Sequence, residues 1–114
     1  MEAIQHGHLY LADLNPRLGT EPGKLRPVLV VQTNYLNQVD HPSTWVLPCT
    51  TNLVGDNISR VILPKLIAGN AENCEVMVDQ SRTIDNKRFK KHLGKLPSSL
   101  LKEVKEKLRL HAEI

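Results

Sequence analysis

Five short runs, each ended by turn-forming residues, precede one segment of helical period, and this order limits the fold more than any other feature of the chain. Residues 7–14 (GHLYLADL), 25–33 (LRPVLVVQT), 44–50 (TWVLPCT), 58–64 (ISRVILP) and 74–80 (CEVMVDQ) read as strands: short, apolar or alternating, with a polar exit. Asn15-Pro16 closes the first, and Gly19, Pro22 and Gly23 fill the polar loop before the second. That second run is the most β-branched and carries Pro27 near its start, where a missing N–H is tolerated, so it is expected to be a central strand. Residues 89–96 add a short sixth strand, interrupted by Gly94. Strands in succession with no helix between them predict a mainly β fold that closes or half-closes into a small barrel. Only after Pro97 and Ser98 does the period change, when Leu101, Val104, Leu108 and Ala112 line one helical face. A C-terminal helix packed on the barrel is expected, with Glu103 and Lys107 as an i,i+4 pair.

With 114 residues and 40% of them apolar, the chain suits a single core, so residues 1–114 are read as one domain. Its longest apolar run, residues 28–31, is far below the roughly 20 residues of a membrane-spanning helix, so no membrane association is expected. Residues 1–8 show no secretion signal. Cys49 and Cys74, lying in separate apolar runs, suggest buried thiols in a reducing cytoplasm and neither a disulfide framework nor a thiolate metal site. The net charge of +3 is unevenly distributed, because residues 87–109 hold nine Lys or Arg against two acids and leave the remainder negative. A polyanionic partner and a solvated helix face both account for that surplus.

Most chemical motifs are absent or incomplete. His6 and His8 could share a strand face, but no further ligand completes a metal site, and none is expected. GTEPGK at 19–24 lacks one spacer and the Ser/Thr of a phosphate-binding loop and leads into a strand. There is no GxSxG elbow and no cofactor fingerprint, and Tyr10, Tyr35, Trp45 and Phe89 are too few for a broad base-stacking platform. What remains is a set of polar residues at the ends of apolar strands: Glu21, Arg26, Thr50, Thr51, Asp79, Gln80 and Arg82. Arg26, one step into a core strand, must pair internally or face a site. Taken singly the others have plain structural readings, Asp79 and Arg82 as an ion pair and Thr50 and Thr51 as a strand end.

Taken in order, these residues resemble a known family. Leu14-Asn15-Pro16, Gly19-Thr20-Glu21, Arg26-Pro27-Val28-Leu29-Val30-Val31, Pro48-Cys49-Thr50-Thr51 and Asp79-Gln80-Ser81-Arg82-Thr83-Ile84-Asp85 are similar to the MazF/PemK family of toxin endoribonucleases, as are the late Gly94-Lys95-Leu96 and the terminal helix. The resemblance implies an SH3-like β-barrel homodimer that cuts single-stranded RNA without a metal or other cofactor and is covered by the acidic tail of a cognate antitoxin. By position it implies Arg26 and Thr50 as the catalytic pair, with Glu21, Asn37, Thr51, Asp79, Gln80 and Arg82 at or near the RNA. The sequence departs from some relatives in having Thr20 where they have histidine and Met77 where they have arginine, which shifts the chemistry toward Arg26 and Thr50.

Such chemistry needs little more. A ribose 2′-OH is already tethered to its phosphate, a guanidinium supplies permanent charge to the developing oxyanion, and Thr50 can donate a hydrogen bond. Glu21, the acid of the loop before Arg26, is the candidate base. A toxin of the same fold that binds a protein such as a topoisomerase, and a degenerate module that binds only the antitoxin, are the alternatives.

Overall fold

The computed structural model describes residues 3–114; Met1 and Glu2, which open the 1–114 domain assignment, lie outside the described residues. The chain forms seven strands: β1 (His8–Asp13), β2 (Leu25–Val30), β3 (Ser43–Thr50), β4 (Arg60–Leu63), β5 (Cys74–Met77), β6 (Arg82–Asp85) and β7 (Phe89–Lys95). They pair antiparallel along the path β4-β5-β3-β2-β1-β7, with β6 on β3 beyond β5. The 25–33 run is the interior strand β2 expected of it, flanked by β1 and β3. The 89–96 run is β7, at the sheet edge.

Period-two alternation sends side chains to two faces, and both are filled. Leu9, Leu29, Leu47, Cys49 and Val76 pack on one, with Val104 and the half-buried Leu100, Leu101 and Leu108 of α2 (Ser98–Ala112) covering them. Tyr10, Ala12, Val28, Val30, Val46 and Ile84 form the second cluster, with Phe89 edge-on to Tyr10. Fully burying each such Leu or Val contributes about 1.5–3 kcal/mol, so two small cores replace one large one. Ala112 is exposed, because the last turn of α2 runs past the sheet.

The hydrogen-bonded path does not return from β7 to β4, so the barrel is open. The gap is spanned by backbone packing without a ladder. A Cβ on Gly69, whose φ is +80°, would lie 2.2 Å from the Leu93 carbonyl oxygen, and one on Gly94 would lie 2.7 Å from that of Ala68. Gly94, an interruption in the sequence pattern, is there because another main chain approaches it.

Several local expectations are corrected. The 25–33 strand stops at Val30, and a four-residue helix α1 (Asn34–Asn37) follows, started by the Thr33 hydroxyl accepting the Tyr35 N–H. The 74–80 run is strand only to Met77, then a 3-10 turn (Val78–Gln80). β6 was not expected, since four residues with two charges carry no apolar run. Glu103 is not the ion-pair partner of Lys107, which reaches Asp56 at 2.7 Å and the Arg60 carbonyl at 2.8 Å and so ties α2 to the β3–β4 loop.

Candidate active site

One cross-strand row organises the candidate residues. Ala12 stands opposite Phe89 on one side and Arg26 on the other. The β2–β3 ladder ends with Val28 opposite Pro48; continuing its register by two residues brings Arg26 level with Thr50, and Arg26 Nη1 reaches the carbonyl of the adjacent Cys49 at 3.3 Å. Thr50 in turn pairs with Glu75, and Glu75 with Ile62. Residues directly opposite in a ladder point to the same face. Arg26, Thr50 and Glu75 are therefore neighbours on three adjacent strands, drawn from positions 24 and 25 residues apart.

Arg26 is half-buried and held at two points: Nε donates to the Gly23 carbonyl at 2.6 Å and Nη1 to that of Cys49 at 3.3 Å. Among the described residues Nη2 makes no hydrogen bond. Burial, with the nearby charge of Arg17, lowers the Arg26 pKa from its ordinary value, yet a guanidinium remains cationic at neutral pH. The sequence alternatives for Arg26 thus combine, since internal acceptors fix one edge of the fork and leave the other. Thr50 is almost wholly buried, and its Oγ1 accepts the Asn52 N–H at 3.1 Å, leaving the hydroxyl hydrogen to donate.

The 15–24 loop brings the acid. Its base is closed by Leu14 N–H to the Lys24 carbonyl at 2.8 Å and by the Asn15 side chain accepting the Lys24 N–H at 2.8 Å. Glu21 Oε2 then lies 3.7 Å from Arg82 Nη1. Arg82 therefore faces Glu21 and not Asp79, as the ion-pair reading of the sequence had it. That Nη1 atom is buried without a hydrogen-bond partner, a donor directed at Glu21 but too far to bond it. Because Val46 pairs with both Val30 and Arg82, Arg82 shares the Arg26–Thr50 face, two cross-strand steps further along β3.

Asp79 and Gln80 leave the sheet. Residues 77–81 stand opposite only Leu47 and Pro48, and the surplus folds into the 3-10 turn with Asp79 exposed and Gln80 half-buried. Thr51 is exposed, one residue beyond Thr50. Asn37 is buried in a separate network: its Nδ2 donates to the Gln32 carbonyl at 3.1 Å and its Oδ1 accepts Gln32 Nε2 at 3.0 Å. His6 and His8 do not converge, because His6 Nδ1 faces the Val31 carbonyl at 3.2 Å while His8 Nδ1 meets His92 Nε2 at 2.9 Å. Among the described residues no three His, Cys, Asp or Glu side chains gather as a metal site would.

Cys49 and Cys74 are both buried and free, as expected. A hydrogen bond between the two thiols, then burial, pushes Cys49 well above the usual thiol range, and the same bond draws Cys74 down.

The residue that sequence reasoning missed is Glu75. It is only 1% exposed, and its carboxylate accepts the N–H groups of Val54 at 3.1 Å and Gly55 at 2.9 Å and Arg60 Nη1 at 2.7 Å. Burial pushes the Glu75 carboxyl up, but these amides and the guanidinium outweigh it and hold the pKa below the ordinary value. The signal was available: a lone acid inside CEVMV is a charge that must find a partner.

Comparison with known proteins shows what the chain and its fold are similar to. Residues 5–112 match the family described as PemK-like, MazF-like toxin of type II toxin-antitoxin system. Endoribonuclease MazF9 of Mycobacterium tuberculosis (strain ATCC 25618 / H37Rv) is 25% identical over 115 residues, covering 97% of this chain and 98% of that protein. Among solved structures, MazF (Form-I) from Deinococcus radiodurans superposes with a TM-score of 0.86 at 27% identity, covering 100% of both chains. The MazE-MazF complex (Form-II) from the same organism gives 0.79 at 28% identity, over 100% of this chain and 99% of that one.

Proposed function

Because the chain belongs to the family of PemK-like, MazF-like toxins of type II toxin-antitoxin systems, we propose that it cuts single-stranded RNA at short sequence motifs by attack of a ribose 2′-OH on the adjacent phosphate, without a metal. It is a MazF-family toxin endoribonuclease. The observation that carries the finer reading is Arg26 bonded to the Cys49 carbonyl beside Thr50, with hydrogen-bonding capacity left over on both side chains.

In the step we propose, the 2′-oxygen bonds to phosphorus as the P–O5′ bond breaks. The 2′-OH proton passes to a base and the departing 5′-oxygen takes up a proton, leaving a 2′,3′-cyclic phosphate and a 5′-OH. Arg26 Nη2 and the Thr50 hydroxyl meet the charge that builds on the non-bridging oxygens. Fixing Arg26 beforehand through Gly23 and Cys49 means that little reorganisation accompanies the reaction. Glu21 is the candidate base, on a loop that reaches the same face, and Arg82, Thr51, Asp79, Gln80 and Asn37 are proposed to lie along the RNA path. Asn37, being buried, would act by shaping the turn that carries α1.

The whole chain, residues 1–114, is taken as one toxin domain. The partners are RNA, a second copy of the chain and a cognate antitoxin that competes with RNA; the MazE-MazF structure of the Deinococcus relative supports the last. No helix among the described residues is long and apolar enough to cross a membrane, and a cytoplasmic site of action fits a toxin directed at mRNA.

The test is incubation of the purified protein with a long single-stranded RNA in EDTA, followed by analysis of the ends. Cleavage with 5′-OH termini is expected. Termini bearing 5′-phosphate, or activity lost in EDTA and restored by Mg²⁺, would sink the tethered mechanism.

A further inference from the structure

Glu75 has no part in that reaction, although it is the neighbour of Thr50. A buried carboxylate is expensive to desolvate, and a well-packed apolar pair would hold the strands equally well. Its bonds run instead to the loop of residues 51–59 and to Arg60 at the start of β4. The Val54 and Gly55 amides and Arg60 Nη1 converge on it, and the same Nη1 donates to the Asn52 carbonyl at 3.2 Å. From the far side Lys107 grips Asp56 at 2.7 Å. The loop backbone is thus drawn inward, while the side chains of Leu53 and Val54 point to solvent, 51% and 59% exposed. Two exposed aliphatic side chains thus sit on a firmly held loop, three and four residues after Thr50.

We propose that the Glu75–Arg60 pair is a positioning device that fixes residues 51–55 against Thr50, so that Leu53 and Val54 pack on an unstacked base beside the cleaved phosphate and help to set which RNA sequences are cut. Such a base presents an apolar face that aliphatic side chains can cover, and a displaced loop would lose that contact without touching the reacting groups. Glu75 and Arg60 are positioning residues; Leu53 and Val54 determine specificity. The proposal rests on the reading of Arg26 and Thr50 as an endoribonuclease site.

The experiment uses a random-sequence pool of single-stranded RNA, with cleavage sites read by sequencing, and steady-state kinetics on the oligonucleotide the wild type cuts best. For Glu75→Gln, KM should rise about tenfold and preference for the best site over single-base variants should fall about tenfold, with kcat within about threefold. A role in stability alone would lower the melting temperature and the active fraction while leaving KM and the cleavage-site distribution unaltered, and would overturn the proposal. Should Glu75→Gln not fold, the double variant Leu53→Ser, Val54→Ser carries the test, because both side chains are exposed; an unchanged site distribution in it is equally fatal. Wild-type protein that cuts no RNA, or an Arg26→Ala variant as active as wild type, would bring down the underlying reading and this proposal with it.

Discussion

Arg26 makes its demands at the level of single atoms. Two of its nitrogens satisfy backbone carbonyls and one is spare, so removing the side chain should cost chemistry as well as some stability. Arg26→Ala is expected to lose roughly 10² to 10³ in single-turnover rate, the scale of one preorganised charge stabiliser. Its stability should fall by about 1–3 kcal/mol, since the Gly23 and Cys49 carbonyls belong to buried residues and lose their donor. Thermal unfolding beside the rate distinguishes this from a structural arginine, for which activity would decline only with the folded fraction. Arg82 is the complementary case. Its buried Nη1 lacks a bond and faces Glu21 at 3.7 Å, a pair that a phosphate oxygen could complete.

Strand pairings carry the next level. β1 and β7 share a ladder with register shifts on either side of Tyr10 and Leu11, and beside it His8 and His92 meet nitrogen to nitrogen. One ring must donate and the other accept, so protonating both breaks the contact. Burial first, then the charges of His92 and Lys95, lower the His8 pKa below its ordinary 6.5. Between the folded value and 6.5 the unfolded chain therefore binds more protons than the folded one, and stability rises with pH across that window. The contribution is complete above pH 6.5 and disappears as pH falls through the folded value. Melting temperatures at pH 7.5 and pH 5 should accordingly show a smaller drop for His8→Gln than for wild type; equal drops would remove the pair from the pH response.

For the molecule as a whole, two surfaces matter beyond the site. A cavity of about 720 Å³ bounded by Tyr35, Leu36, Gln38, Trp45 and Lys105 lies at the opposite end of β3 from Thr50. Tyr35 is 86% exposed there, with Val39 also in solvent, an apolar surface suited to a second copy of the chain. Light scattering at micromolar concentration should give twice the 12.8 kDa chain mass, and Tyr35→Lys should reduce it; a wild-type monomer would count against the dimer. The basic stretch runs from the 3-10 turn before β7 through β7 to α2, and Lys87, Lys90 and Lys91 are exposed around the start of β7, whose Phe89 belongs to the Arg26 row. Changing all three to glutamine should flatten the salt dependence of RNA binding by up to about two units of slope, while the cleavage motif stays the same. An unchanged slope would mean a solvated face, and an altered motif would mean that these lysines read bases.

What the sequence determined by itself is whatever depends on local period and turn chemistry. Alternating runs ended by Asn-Pro and Gly-Pro clusters specify strands, and the 3, 4, 4 spacing of Leu101, Val104, Leu108 and Ala112 specifies α2, because both follow from side-chain direction along a few residues of backbone. The resemblance added Arg26 and Thr50 as a pair, although nothing local joins residues 24 apart. Only the tertiary structure decided that they come together, through the antiparallel pairing of β2 on β3 and the bond from Arg26 to the Cys49 carbonyl, and that Glu75 stands beside Thr50 through β5. It also decided what the local signals concealed. Gly94 interrupts a strand pattern because the Ala68–Gly69 backbone passes against it, Arg82 meets Glu21 across a loop and not Asp79 three residues away, and Lys107 reaches Asp56 rather than Glu103 on its own helix. Contacts between segments distant in sequence are fixed by register and by which surfaces meet, and a one-dimensional pattern does not contain that information.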